Sequence, residues 1–181
     1  MITRSYSTEG IVLARRNYSE ADRILSVYTK SHGRVSLLAK GVRKPASKKR
    51  GHLEIFSHIK FSASKGKGLD LITEAELINS YSKIRKDLNK VSVAYFFVEA
   101  VGRITREGEK NEEVFELLLD RIRNLEDSPN LRKLREGFIQ DLLVTLGFWP
   151  KGKVLDNPDQ KLEEILERNL LTIRVGRKLL S

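Results

Sequence analysis

Two different spacings of hydrophobic residues divide this chain. As far as about residue 82, short apolar stretches with two-residue alternation are separated by turn-forming residues, which is typical of β-strands. Beyond that point apolar residues recur every three to four positions, which is typical of amphipathic helices. The pattern therefore predicts an α+β protein with two domains, residues 1–82 and residues 83–181.

Five strands are predicted in the first domain, at 7–16, 21–29, 35–40, 53–63 and 69–77. Gly33 can supply the positive φ of a tight turn between the second and third strands. Five short strands joined by short links indicate a small barrel or a curled sheet. The five-stranded oligonucleotide-binding (OB) barrel is the natural candidate, because it combines five strands with basic connecting loops. Periodicity alone does not separate it from other small barrels.

The second domain is predicted to be helical, with four or five helices. The first begins near residue 84 and ends near Gly108. Asn111 and Asn130 stand where a side-chain oxygen can cap the next two helices, and Gly147 closes the second of these. A last helical pair is predicted at 161–168 and 170–180.

The positive charge is concentrated in the first domain. The chain has 34 Lys and Arg against 24 Asp and Glu, a net charge of +10, and residues 1–82 hold 15 of these cations against 7 acids. No cysteine is present and no apolar run of about 18 residues occurs, so disulfides and a membrane span are not expected. The start of the chain lacks the apolar core of a signal peptide. We therefore expect a soluble cytoplasmic protein.

One segment of the first domain holds six cations and no acid. Gly41, Pro45, Ala46 and Ser47 disfavour a helix or a paired strand there, so we expect a mobile loop that leaves the third strand. Each Lys or Arg can neutralise one phosphate and release condensed counterions, which suits a polyanionic backbone. The alternative is a solvated loop that only keeps the protein soluble. The six cations are Lys40, Arg43, Lys44, Lys48, Lys49 and Arg50.

No arrangement of residues predicts an enzyme, a metal site or a cofactor. His32, His52 and His58 are the only histidines, and their spacing matches no metal-binding motif. No nucleophile elbow and no phosphate-cradling glycine motif is present. The acidic clusters lie at helical spacing and are solvated faces. The chemistry that the sequence favours is binding.

Aromatic residues of the basic domain can stack on the bases of a single strand. Four of them are candidates for this role, and most are expected to be core residues because a small barrel must bury side chains. Phe56 is the best stacking candidate, since its position in the predicted strand places its side chain on the opposite face from Ile55 and Ile59. The four are Tyr18, Tyr28, Phe56 and Phe61.

Several stretches together resemble the RecO family of bacterial recombination mediators. In the basic half they are G-I-V-L-A-R-R (10–16), Y-S-E-A-D-R-I-L (18–25), V-Y-T-K-S-H-G-R-V-S (27–36), L-A-K-G-V-R-K-P-A-S (38–47), G-H-L-E-I-F (51–56) and T-E-A-E-L (73–77). In the helical half the matching stretch is L-R-K-L-R-E-G-F-I-Q-D-L-L-V-T-L-G-F-W-P (131–150). They cover most of the chain in the family's order.

The resemblance implies an N-terminal OB domain followed by a helical domain. It implies binding to single- and double-stranded DNA and annealing of complementary strands. It also implies action with RecR in loading RecA onto DNA coated by single-stranded DNA-binding protein, with partners docking on the helical domain and the protein associated with the nucleoid during repair. Lys40 and Arg43 correspond to DNA-contacting cations, with Arg34 and Lys44 as neighbours. Arg132 and Lys133 are placed to meet the acidic, apolar C-terminal tail of the single-stranded DNA-binding protein.

One departure from the family is visible. Many members carry a four-cysteine zinc element after the leucine-glycine-aromatic turn, and here residues 151–160 are a short stretch without cysteine. The chain resembles a short member without that element.

Two other binding functions remain open from the sequence. One is an RNA- or ribosome-associated OB protein, because a basic barrel does not by itself select DNA. The other is an adaptor that works through its helical domain.

Overall fold

The computed structural model describes residues 4–167, and its first half forms five β-strands. They are β1 (Ser5–Asn17), β2 (Arg23–Thr29), β3 (Gly33–Ala39), β4 (His58–Ser64) and β5 (Asp70–Asn79). The five predicted strands are all present, but β4 begins five residues later than predicted. The sequence of neighbours is β1-β2-β3-β5-β4, and the strands close into a barrel.

Closure of the barrel depends on β1, which pairs with two strands. Ser5 to Ile11 pair with β4, and Gly10 to Asn17 pair with β2. The register shifts between Val12 and Ala14, and such a bulge bends a strand and increases its twist. The bend lets one strand of 13 residues close both sides of the barrel. Antiparallel pairing joins every neighbouring pair except β3 and β5, which are parallel.

Alternation along the strands gives the barrel two apolar faces. Leu25 and Val27 of β2 belong to the core inside the barrel, whereas Tyr28 faces the helices. A strand buried on both sides has a nearly continuous apolar sequence, which explains why Ile24 to Thr29 shows weak alternation. The inner core consists of Val12, Leu25, Val27, Leu37, Ala39, Val42, Leu53, Ile59, Phe61, Ala63 and Ile72.

The second half of the described chain is helical, as predicted. Its helices are α1 (Ser82–Arg85), α2 (Leu88–Ile104), α3 (Glu112–Leu125) and α4 (Leu131–Thr145), and residues 158–167 are also helical. The predicted first helix is broken because the Asp87 side chain accepts from the amides of Asn89 and Lys90 and starts α2 anew. The predicted helix at 170–180 lies outside the described residues. Among the helices of residues 4–167, none is both long and apolar enough to cross a bilayer.

The caps of α3 and α4 are the asparagines that the sequence indicates. Asn111 Oδ1 accepts from the Val114 amide at 3.2 Å, and Asn130 Oδ1 accepts from the Lys133 amide at 2.9 Å. Gly147 follows α4 with a φ of 78°, the left-handed conformation in which glycine commonly ends a helix.

A second core joins the helices to the barrel. Ile11, Leu13, Tyr28 and Phe56 from the barrel half pack with the buried faces of α2, α3 and α4. The Tyr28 hydroxyl donates to the Asn111 carbonyl at 3.2 Å. The chain passes from β5 to α1 between Asn79 and Ser82, and buried side chains make contact across that point.

Candidate nucleic-acid interface

The basic segment is the connection between β3 and β4, which we call the β3–β4 loop (residues 40–57). It is a succession of turns, in which the amides of Lys44, Ser47 and Arg50 each donate to the carbonyl three residues earlier. Val42 and Leu53 are fully buried in the inner barrel core. The loop that the sequence predicts is present, and buried side chains anchor it near both ends.

The first part of this loop is fastened to the β1–β2 hairpin (residues 18–22). The Gly41 amide donates to Asp22 Oδ1 at 2.8 Å, and the Arg43 amide donates to the Ala21 carbonyl at 2.9 Å. The hydrogen bond from the Gly41 amide is the main cause that lowers the pKa of Asp22, and the charges of Lys40 and Lys44 lower it further. The Asp22 carboxylate therefore fastens the start of the loop to the hairpin through the Gly41 amide.

The six predicted cations of the loop differ in how free their charges are. Lys40, Lys44, Lys48 and Arg50 are exposed, and no ion pair or side-chain hydrogen bond engages them within residues 4–167. Arg43 Nη1 donates to the Ser19 carbonyl at 2.6 Å, and Lys49 Nζ donates to the Thr73 carbonyl at 2.8 Å. Four cations are thus available to a polyanion, while two also secure the loop.

Arg34 lies away from this group. It stands near the start of β3, and Lys40 follows the end of that strand, so about 20 Å of extended chain separates them. Arg34 Nη2 donates to the Thr105 carbonyl at 3.1 Å, after the end of α2. Its guanidinium connects the barrel to the helices, and the structure does not place it beside the other predicted DNA-binding cations.

The stacking role predicted for Phe56 is wrong in this structure. Phe56 is fully buried, and the Arg85 guanidinium lies over its ring at 3.9 Å. Residues 53–57 are not part of β4, so their alternation does not report two faces of a strand. The Phe56 amide donates to the Val12 carbonyl, and the residue has a φ of 56°.

Arg85 holds the end of the loop to the helical half. Its Nη2 donates to the Ile55 carbonyl at 2.8 Å and to the Ser57 hydroxyl at 3.1 Å, and its Nε donates to the Ser80 carbonyl at 2.7 Å. A planar guanidinium suits this role because it offers several donors in a fixed geometry.

Of the four aromatic residues considered for stacking, Tyr18 is the one that solvent can reach. Its side chain is 61% exposed, whereas Tyr28, Phe56 and Phe61 are buried. The Tyr18 amide donates to the Asp22 carbonyl at 3.1 Å and closes the β1–β2 hairpin. Tyr18 therefore lies on the hairpin to which Lys40, Arg43 and Lys44 are fastened.

A groove of about 410 Å³ runs over the outer surface of β1, β2 and β3. Sequence reasoning did not single out its exposed cation Arg16, nor Lys67 in the neighbouring β4–β5 turn. The register pairs Arg16 with Ile24 and Ile24 with Leu38, two residues before Lys40. The groove is lined by Ala14, Arg15, Arg16, Ile24, Leu25, Ser26, Ser36 and Leu69.

The two cations predicted in the helical half lie in the first turn of α4. Arg132 Nε donates to Glu136 Oε1 at 2.9 Å, which partly neutralises its charge. Lys133 lines a shallow, mainly apolar groove of about 480 Å³ beside Leu134 and Pro129. Arg121, at the same groove, is already paired with Asp120 and Asp141. Lys133 is thus the cation of the pair that stands next to an apolar surface.

The described part of the chain contains no set of side chains that could bind a metal ion. No group of three or more His, Asp or Glu residues comes together within residues 4–167, and the sequence has no cysteine.

Comparison with known proteins gives two domain matches in sequence order. The family model for the N-terminal part of recombination protein O matches residues 1–81, and the model for its C-terminal part matches residues 85–153.

Individual relatives agree with these matches. The DNA repair protein RecO of Pelotomaculum thermopropionicum is 35% identical over 145 residues, which cover 80% of this chain and 56% of the relative. The RecO proteins of Roseiflexus sp. and Dehalococcoides mccartyi are 31% and 32% identical, over 83% and 87% of this chain. The matched part spans 53% and 62% of those two proteins, so this chain corresponds to little more than half of its relatives. With both domain models matched in order, the chain belongs to the RecO family.

Proposed function

We propose that this protein is a non-catalytic mediator of DNA repair that binds DNA and anneals complementary single strands. The observation that carries the proposal is the group of free cations, Lys40, Lys44, Lys48 and Arg50, on a loop anchored beside the exposed Tyr18. RecO family membership supports DNA as the polyanion. We further propose that the barrel is of the OB type, which binds oligonucleotides over its second and third strands and adjoining loops.

Annealing in this proposal needs no chemical step. Each loop cation neutralises a phosphate and releases condensed counterions. Neutralising two strands together reduces their mutual repulsion, so that their bases can find partners. Tyr18 offers a surface on which a base can stack without regard to sequence. Binding is therefore expected to fall steeply with salt and to show little sequence preference.

Partners follow from the same family proposal. We propose that the groove beside Lys133 receives the acidic, apolar tail of single-stranded DNA-binding protein, because it combines a cation with an apolar floor. Arg132 is a weaker contact, since Glu136 already pairs with it. Cooperation with RecR in loading RecA completes the proposed role.

The test is annealing of two labelled complementary strands across a salt series. The variant Lys40→Ala/Lys44→Ala/Lys48→Ala removes three free charges and leaves Arg43, which holds the hairpin, in place. We expect slower annealing and a slope of log affinity against log salt that is smaller by about 2, at roughly 0.7 per phosphate contact on single strands. A control, Lys86→Ala/Lys151→Ala/Lys153→Ala, removes the same net charge from exposed sites in the helical half.

Equal annealing by the loop variant and the wild type would refute the site. Absence of annealing by the wild type would refute the function. Preference for a matched RNA strand in competition would favour the RNA-binding alternative, because only RNA offers a 2′-hydroxyl.

A further inference from the structure

Four arginines lie near one another where the β3–β4 loop is fastened to the β1–β2 hairpin, since Arg15, Arg43 and Arg50 each act electrostatically on Arg23. Arg15 belongs to β1 and Arg23 to β2, while Arg43 and Arg50 belong to the loop. The register pairs Arg15 with Leu25 and Arg23 with Ala39. Paired residues of neighbouring strands share a face, and Leu25 and Ala39 lie in the inner core. Arg15 and Arg23 are therefore on the inner face, at the mouth of the barrel.

Arg23 is incompletely satisfied in this position. Its Nε donates to Asn17 Oδ1 at 3.3 Å. Its Nη1 is buried and has no hydrogen-bond partner within residues 4–167. A guanidinium remains charged in proteins and has only donors. A buried charged donor without an acceptor costs free energy, so the mouth of the barrel lacks an acceptor at this point.

The surroundings of Arg23 are also short of negative charge. Burial is the main cause that lowers its pKa, and the charges of Arg15, Arg43 and Arg50 act in the same direction. Glu54 is the acid that opposes them. Its carboxylate is already bound to Arg15 Nη1 at 2.6 Å. Arg23 thus has three neighbouring cations and one opposing carboxylate, which Arg15 already engages.

We propose that this arginine cluster, residues 15, 23, 43 and 50, is a binding site for one phosphate group, with Arg23 as its anchor. A phosphate oxygen supplies the acceptor that Nη1 lacks, and its charge offsets the repulsion among the guanidinium groups. Arginine binds phosphate through parallel hydrogen bonds, and the exposed Arg50 lies within electrostatic reach of Arg23. On the proposed function, this phosphate is one of the nucleic-acid backbone; a free phosphate ion carries the same chemistry.

A purely structural role for Arg23 and a role in phosphate binding predict opposite effects of mutation on stability. If its contacts mainly stabilise the fold, Arg23→Met lowers the melting temperature in every buffer. If the cluster is an empty anion site, Arg23→Met keeps the aliphatic stem and removes a repelled charge. The variant is then at least as stable as the wild type in chloride, and it loses only the response to phosphate.

The first experiment measures melting temperature in inorganic pyrophosphate and in chloride at equal ionic strength. We expect pyrophosphate to raise the melting temperature of the wild type, because a ligand that binds only the folded state stabilises it. Arg23→Met should show no such rise. The control Arg103→Met, which removes an exposed charge from α2, should respond like the wild type. An equal rise in Arg23→Met and in the wild type overturns the proposal.

The second experiment identifies the source of the phosphate group. A labelled DNA single strand should bind Arg23→Met about tenfold more weakly than the wild type, since a charge-assisted hydrogen bond is lost. Arg23→Lys should not restore affinity, because an ammonium lacks the planar fork. If pyrophosphate displaces the labelled strand, the site binds a phosphate of the nucleic-acid backbone. If pyrophosphate raises the melting temperature but does not displace the strand, the site binds a free ion.

These outcomes separate the subsite from the proposed function. A wild type that anneals DNA but shows no Arg23-dependent response to pyrophosphate refutes only the subsite. A wild type that responds to pyrophosphate through Arg23 but does not anneal DNA refutes only the function. If Arg23→Met does not fold, Arg50→Met on the exposed side of the loop replaces it, with the same expected loss of response.

Discussion

Tyr18 presents an exposed aromatic ring on a short, hydrogen-bonded hairpin. The side chain is 61% exposed, so its removal takes little apolar surface out of the core. The hairpin that carries it is fastened to the loop segment that holds Lys40 and Lys44, whose charges are free. A ring and cations at one place are the combination by which proteins hold single strands.

We therefore predict that Tyr18→Ala weakens binding to a DNA single strand by about 1–3 kcal/mol. Its free energy of unfolding should change by less than about 0.5 kcal/mol, as for other surface substitutions. Fluorescence titration and urea unfolding measure the two quantities. Phe148→Ala, which removes a 43% exposed ring from the helical half, is the control and should bind DNA like the wild type. Equal affinity of Tyr18→Ala and Phe148→Ala would contradict the stacking role.

At the scale of single residues, the predictions that hold are local ones. Asn111 and Asn130 cap helices because each side chain bonds an amide three residues ahead, and such contacts depend only on neighbouring sequence. Phe56 and Arg34 were misplaced for the opposite reason. Their surroundings are set by Arg85 and Thr105, which lie far along the chain, so no pattern near Phe56 or Arg34 reveals them.

The turn between β2 and β3 packs against the connection between α2 and α3. Gly33 has a φ of +65°, and a Cβ built on it would lie 2.1 Å from the Glu109 carbonyl oxygen. The Gly108 amide donates to the Arg34 carbonyl at 2.8 Å, and the Ser36 amide donates to Glu107 Oε1 at 2.9 Å. The glycine thus allows both the turn and a close approach of two backbones.

Gly33→Ala is predicted to lower the free energy of unfolding by about 2 kcal/mol or more, from the strained φ together with the backbone clash. Urea unfolding measures the change. Gly51→Ala is the matched control, since nothing lies within 4 Å of its added Cβ and its φ is not in the positive range. If the two variants lost stability equally, the close approach of the two backbones at Gly33 would not account for the loss of stability.

At the scale of elements, periodicity was sufficient to predict five strands followed by helices. It did not predict where β4 begins, because Val12 of β1 binds the Phe56 amide and the Ser57 carbonyl and holds residues 53–57 outside the ladder. It also joined α1 to α2, since the apolar spacing continues through the Asp87 cap. A hydrophobic pattern reports which side of an element is buried more directly than where the element starts.

The whole molecule is held together by a core that both halves share. His58 of β4 lies at this junction, 3% exposed, with its ring 6.1 Å from that of Phe115 in α3. Its Nε2 lies 3.1 Å from Glu9 Oε2. Burial lowers the pKa of His58 and outweighs the Glu9 hydrogen bond and charge, which raise it; Arg123 lowers it further and Glu116 opposes. His58 is therefore neutral in the folded protein near pH 7.

We predict that the free energy of unfolding decreases as the pH falls below about 6.5, the usual pKa of an unfolded histidine. The unfolded chain then takes up a proton that buried His58 does not, which favours unfolding. Burial also lowers the pKa of His32, so this residue acts in the same direction. Urea unfolding from pH 7.5 to 5.5 should show a smaller decrease for His58→Gln than for the wild type. His52→Gln is the control, and a decrease in His58→Gln as large as in the wild type would contradict the assignment.

The bonds from Arg85 to the end of the β3–β4 loop also bear on how the protein is made. A chain leaves the ribosome from its N-terminus, so the basic loop emerges well before the arginine that fastens Ile55 and Ser57. The loop cations are therefore synthesised before Arg85, whose hydrogen bonds hold the end of the loop. We expect the end of the loop at Ile55 and Ser57 to be secured only once α1 has been synthesised, so a partly translated chain, still surrounded by ribosomal RNA, does not yet present the loop in its final position.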